Sequence, residues 1–76
     1  MFIHRALTDD LLKAARVALR DLSGDTTRIT RNRVTAGRFQ LRLGRDYLWY
    51  PYAKSDGGWE PAGPPQPDPA RAAEQL

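Results

Sequence analysis

The clearest alternation of apolar and polar positions runs from Arg38 to Leu43. Phe39, Leu41 and Leu43 fall on one side, and Arg38, Gln40 and Arg42 on the other. A period of two over six residues predicts a strand with one buried face. Tyr47–Tyr52 follows, an aromatic-rich run suited to a pleated surface. A two-residue loop at Gly44-Arg45, glycine first as a type II′ turn prefers, pairs Leu41 with Leu48 and Phe39 with Tyr50. Tyr47 and Trp49 are then expected beside Arg42, Gln40 and Arg38. A three-residue loop reverses the faces, but its usual bulge places glycine last. Either loop leaves at least one ring on the arginine face.

Upstream, Thr8–Leu22 carries a helical period. Leu11, Ala15, Ala18 and Leu22 recur at spacings of four, three and four, widened by Leu12 and Leu19. Thr8 is the expected N-cap, Asp9 and Asp10 suit the first turn, and Gly24 suits a C-terminal cap. Lys13, Arg16 and Arg20 form a second stripe. It reads either as a phosphate-contacting row or as the solvated flank of an amphipathic helix. The mixed run Phe2–Leu7 reads as an edge strand or as packing for the helix.

Asp25–Ala36 predicts the first strand of the sheet, with a hairpin turn at Ala36-Gly37, Val34 beside Phe39, and Arg31 and Arg33 turned outward. Alanine resists the positive φ of such a turn. Ile29 also falls out of phase with Val34, which points to a bulge or an early strand end. This register sets Arg31 across from Arg42, with Arg33 and Arg38 nearby. Like charges so placed are destabilising unless they splay into water or hold an anion between them.

Downstream, Ser55–Gly58 (SDGG) is a turn signal, and Trp59 opens a short fourth strand or covers the sheet edge. Five of the nine residues Pro61–Pro69 are proline, an extended polyproline-like linker. Asp68-Pro69 then caps a short helical segment that would be marginal alone. The expected fold is α+β: one N-terminal amphipathic helix packed on a three- to four-stranded antiparallel sheet. The expected division is a small α+β domain over 1–61 and a Pro-rich linker with a short C-terminal helical segment over 62–76.

Composition narrows the chemistry. A chain of 76 residues buries only roughly 60 % of its unfolded surface, so a partner or a homodimer would help its stability. With no cysteine there is neither a disulfide nor a thiolate metal site. His4 is the only histidine, too few for a three- or four-ligand site, so it reads as structural and no metal or other cofactor is expected. Ser23 and Ser55 read as turn residues outside any nucleophile elbow, and Gly57-Gly58 is too short for a phosphate loop. A non-enzymatic protein is expected. No apolar run approaches the roughly 18 residues of a membrane span, and MFIHRALTDD lacks the apolar region of a signal peptide. The expectation is a cytoplasmic protein with no membrane partner.

The net charge of +3 is unevenly spread. Residues 28–45 hold six arginines and no acid, whereas residues 46–76 hold five acids against two cations. Such asymmetry suggests an anionic partner for the middle of the chain. A GC-rich genome would also enrich arginine, which supplies ten of the twelve cations.

Two functions follow as expectations. The first is a small basic nucleic-acid-binding protein, DNA or RNA, using an arginine-rich, aromatic-interleaved sheet face. Arg31, Arg33, Arg38, Arg42 and Arg45 would neutralise phosphates, and Tyr47 and Trp49 would stack on unpaired bases. The second is a non-enzymatic adaptor or inhibitor, of phage or plasmid type or a subunit of a larger assembly, binding an acidic protein surface. Arginine and aromatic residues suit interface hot spots equally well, and the proline-rich tail suits PPII recognition. A third option is that the arginines simply cover Tyr47 and Trp49 by cation–π contact. The side chains on the uncovered side of the sheet discriminate among these.

Overall fold

The computed structural model describes residues 5–24 and 26–76, with backbone alone for 5–8 and 23. Phe2 and His4 lie outside the described residues. Helix α1 spans Arg5–Ser23, so Thr8 lies inside it and not at its N-cap. Nothing in RALTDD breaks a helix, and the turn before Thr8 is helical too. The buried stripe is Leu12, Ala15 and Leu19, with Leu11 and Ala18 on its flank. Leu22 is exposed, so the stripe is rotated from the Leu11–Leu22 line toward Leu12 and Leu19. Gly24, at φ +72, donates its N–H to the Arg20 carbonyl at 2.8 Å and closes the helix.

Five strands follow: β1 (Thr27–Thr30), β2 (Arg33–Ala36), β3 (Phe39–Leu43), β4 (Trp49–Ser55) and β5 (Gly58–Pro61). They form one antiparallel meander in chain order, one strand more than the four expected at most. The extra strand comes from residues 27–36, which fold back on themselves at Arg31-Asn32. Arg31 takes φ 55 there. The Asn32 side chain donates to the Leu43 carbonyl at 2.8 Å, and the Leu43 N–H donates to the Asn32 carbonyl at 2.8 Å. The turn is thus tied to β3. Ile29 pairs with Val34 and shares its face, because the chain reverses between them.

The β2–β3 turn is Gly37-Arg38, not Ala36-Gly37. Gly37 takes the first turn position at φ +58, and Ala36, nearly fully buried, pairs with Phe39. Glycine supplies the positive φ that alanine resists. The register moves by two, so faces are kept while partners change. Val34 pairs with Leu41, and Arg33, not Arg31, stands across from Arg42.

The β3–β4 loop has three residues, Arg45-Asp46-Tyr47, and not the expected two at Gly44-Arg45. Gly44 donates its N–H to the Leu48 carbonyl at 2.9 Å, and Tyr47 donates to the Gly44 carbonyl at 3.0 Å. Tyr47 takes the left-handed position at φ 63, where glycine is usual. Leu43 therefore pairs with Trp49, Leu41 with Pro51 and Arg42 with Tyr50. The odd shift inverts β4: Trp49 and Pro51 face the helices, and Tyr50 and Tyr52 face away.

A short helix, α2 (Pro69–Ala73), is capped by Asp68, whose carboxylate accepts from the Ala70 N–H at 2.9 Å. Its Ala72 and Ala73 join Leu12, Ala15, Leu19, Val34, Leu41, Leu43 and Trp49 in the core. The proline-rich segment runs beside β4. Trp49 and Gln66 exchange both backbone hydrogen bonds, at 2.7 and 2.9 Å, and Ala62 donates to the Pro51 carbonyl at 2.9 Å. Both helices thus lie on one side of the sheet, and among the described residues no helix covers the other, bare side.

Candidate nucleic-acid interface

In an antiparallel sheet, paired residues share a face. The registers therefore list the bare side strand by strand: Arg28 and Thr30, Arg33 and Thr35, Gln40 and Arg42, Tyr50, Tyr52 and Lys54, then Trp59. Arg38 joins them at the β2–β3 turn, because Lys54 donates to its carbonyl at 2.8 Å. Five cations and three rings thus occupy this face. None of its pleat positions holds a carboxylate. Glu60 pairs with Ala53 and points to the helix side.

The middle of the face is a connected polar layer. Arg42 lays its guanidinium 3.8 Å above the Tyr52 ring and donates from Nε to Gln40 Oε1 at 2.5 Å. Gln40 Nε2 in turn donates to Thr35 Oγ1 at 2.8 Å. These contacts explain how Gln40, a polar residue on the outward face, is only 4 % exposed. Beside this layer, Lys54 Nζ lies 5.9 Å from the Trp59 ring.

At the β3–β4 end, Asp46 accepts from the Tyr50 hydroxyl at 2.6 Å and from the Leu48 N–H at 3.1 Å. The hydroxyl bond and then the amide bond hold the Asp46 carboxyl below its ordinary value. The same hydroxyl bond pushes the Tyr50 phenol up. Both groups are solvent-facing.

The sequence-predicted residues divide into three groups. Arg33, Arg38 and Arg42 come together on the bare face. Arg31 sits in the β1–β2 turn, and Arg45 and Tyr47 in the β3–β4 loop, near one end of the sheet. Trp49 is in the core at 0 % exposure, so it is not a surface stacking residue. The sequence reading misses Arg28, Tyr50, Tyr52, Lys54 and Trp59. The period-two pattern of Tyr50, Tyr52 and Lys54 was available, but it depended on the parity of the β3–β4 loop.

No family model, curated protein or solved structure matches this chain. The cations of the bare face can neutralise a polyanion, and its rings offer flat apolar contact. No helix among the described residues is long and apolar enough to cross a membrane.

Proposed function

We propose that this protein binds nucleic acid through the bare face of its sheet, without catalysing a reaction on it. The observation that carries the reading is the set Arg28, Arg33, Arg38, Arg42 and Lys54, interleaved with Tyr50, Tyr52 and Trp59, with no carboxylate at a strand position and Asp46 and Asp56 only at its turns. Arg33 and Arg42 stand directly opposite one another, with β-carbons roughly 4.5–5.5 Å apart by sheet geometry. Such placement costs folding energy, and phosphate oxygens between or beside the guanidinium groups offset it. The reading shifts from the arginines of the turns toward those of the strands, and from Trp49 to the three outward rings.

The adaptor alternative draws part of its support from the proline-rich tail as a PPII recognition element. Here Gln66 and Ala62 bond along β4, and Gln75 Nε2 donates to the Pro64 carbonyl at 2.9 Å. The tail backbone is thus bonded within the chain while Pro64, Pro65 and Pro67 stay exposed, so the adaptor reading keeps only the proline rings and the same cationic face to work with.

The test is a titration with oligonucleotides at about 50 and 200 mM salt. Affinity should fall steeply between the two. Arg28→Gln combined with Arg33→Gln should weaken binding and flatten the salt slope by about one unit per arginine removed. Absence of binding at the lower salt would refute the proposal.

A further inference from the structure

The bare face is not flat. One open trough of about 390 Å³ is lined by residues that include Arg28 and Thr30 of β1, Arg33 and Thr35 of β2, Gln40 of β3 and Trp59 of β5. Five strands laid flat would separate β1 from β5 by roughly 19 Å. Residues from both edges of the sheet nonetheless border this one trough, with Trp59 as its contribution from β5. We infer that this trough is a subsite for one nucleotide of a single-stranded nucleic acid, its phosphate on the β1–β2 side and its base against Trp59. The inference rests on the nucleic-acid reading and names the form of polymer that the face takes.

Three features argue for it. First, the pairs Arg28–Thr35 and Thr30–Arg33 are successive on the open face. They form a block of two cations and two hydroxyls with the arginines on a diagonal, roughly 7–8 Å apart. Both guanidinium forks can converge on one phosphate.

Second, the polar layer has a direction. Arg42 donates to the Gln40 carbonyl oxygen, which fixes the amide, and the Gln40 amide nitrogen donates to Thr35 Oγ1. With that lone pair taken, the Thr35 hydroxyl has its proton to give. The chain of donors ends in the trough on an O–H suited to an anionic oxygen.

Third, the wall opposite the cations is an indole. A paired base shows a protein only its edge, inside a groove, whereas an unpaired base offers the face that an indole can stack on. The aromatic wall therefore favours a single strand over a duplex. Inorganic phosphate would satisfy the cations but leave Trp59 without a partner.

The chain has two tryptophans, and Trp49 is fully buried, so a ligand-induced change in emission reports Trp59. The probes are a single-stranded oligonucleotide, the duplex of the same length, and inorganic polyphosphate, all at low salt. The expected result is quenching by the single strand and at least about tenfold tighter binding of it than of the duplex. Trp59→Ala should weaken single-strand binding by about 5- to 150-fold and leave duplex and polyphosphate binding unchanged. Trp59→Phe, followed by anisotropy and with its melting curve checked, should restore most of the loss. Duplex binding equal to single-strand binding, with Trp59→Ala neutral, would overturn the subsite and leave the nucleic-acid reading standing. Polyphosphate binding as tightly as the single strand, without quenching by either, would overturn the base contact. Failure of all three probes to bind would overturn both.

Discussion

Arg33 and Arg42 face each other across the β2–β3 ladder, and Arg42 turns away by lying on the Tyr52 ring at 3.8 Å. A half-exposed cation–π contact of this kind contributes about 0.5–1 kcal/mol. In a double-mutant cycle of Arg42→Ala and Tyr52→Ala, denaturant melts should give a coupling of that size. Arg33→Thr, which removes the opposing charge, should be neutral or stabilising by a few tenths of a kcal/mol. A clearly destabilised Arg33→Thr would mean that the two guanidinium groups do not repel.

Trp49 joins the sheet, both helices and the tail, so it is the residue the fold can least lose. Trp49→Ala should cost about 3–5 kcal/mol, enough to unfold a domain this small at ambient temperature. Its indole N–H is buried without a hydrogen-bond partner among the described residues, so Trp49→Phe forfeits packing alone and should remain folded. Removing residues 62–76 takes away Gln66, Ala72 and Ala73, and should shift Trp49 emission to the red as water reaches the ring. Thermal melts and emission spectra check all three.

The β3–β4 loop is held by two positions with opposite demands. A β-carbon on Gly44 would lie 2.5 Å from Asp46 Oδ1 and 2.7 Å from Tyr50 Cε1. Gly44→Ala should therefore destabilise the hairpin, by about 1–3 kcal/mol. Tyr47, at φ 63, adopts a conformation that costs a side-chain-bearing residue roughly 1–2 kcal/mol. Tyr47→Gly should raise the melting temperature.

The Asp46–Tyr50 bond sets a pH window. The Asp46 carboxyl is lowered from 3.8, so its contribution is present above that value and is lost as pH falls through the lower folded value. The Tyr50 phenol is raised from 10.0, so its contribution is complete below that value and is lost as pH rises through the higher folded value. The stability difference between the protein and its Tyr50→Phe variant should be constant between about pH 5 and 9. It should shrink at both extremes, and phenolate absorbance should lose its latest-titrating component in the variant.

Much of the architecture was legible in residue pattern. The period of α1, the alternation of β3, Gly24 as a helix stop and SDGG as a turn all match the elements observed. The two most consequential failures share one cause: turn chemistry carried by residues other than glycine. Arg31-Asn32 makes a hairpin without a glycine, so two strands read as one. Tyr47 takes a left-handed position that glycine would have announced, and with it the parity of β4 inverted. That single inversion moved Trp49 from the surface to the core and brought Tyr50 and Tyr52 out. Arg33, Arg38 and Arg42 kept their face despite the wrong β2–β3 partners, because the register error was an even number of residues. Trp59 borders a trough with residues of β1 and β2, strands distant from it in sequence, which no local pattern records.

The meander has a kinetic corollary. Each strand bonds to the strand beside it in sequence, so every ladder can zip from a tight turn without closing a long loop first. The late, entropically demanding event is the meeting of the chain's two helical ends over Trp49. Pairing between strands adjacent in sequence favours quicker folding than non-local strand pairing does. Refolding should therefore finish well inside a second, with formation of the hairpins preceding the loss of water from the indole.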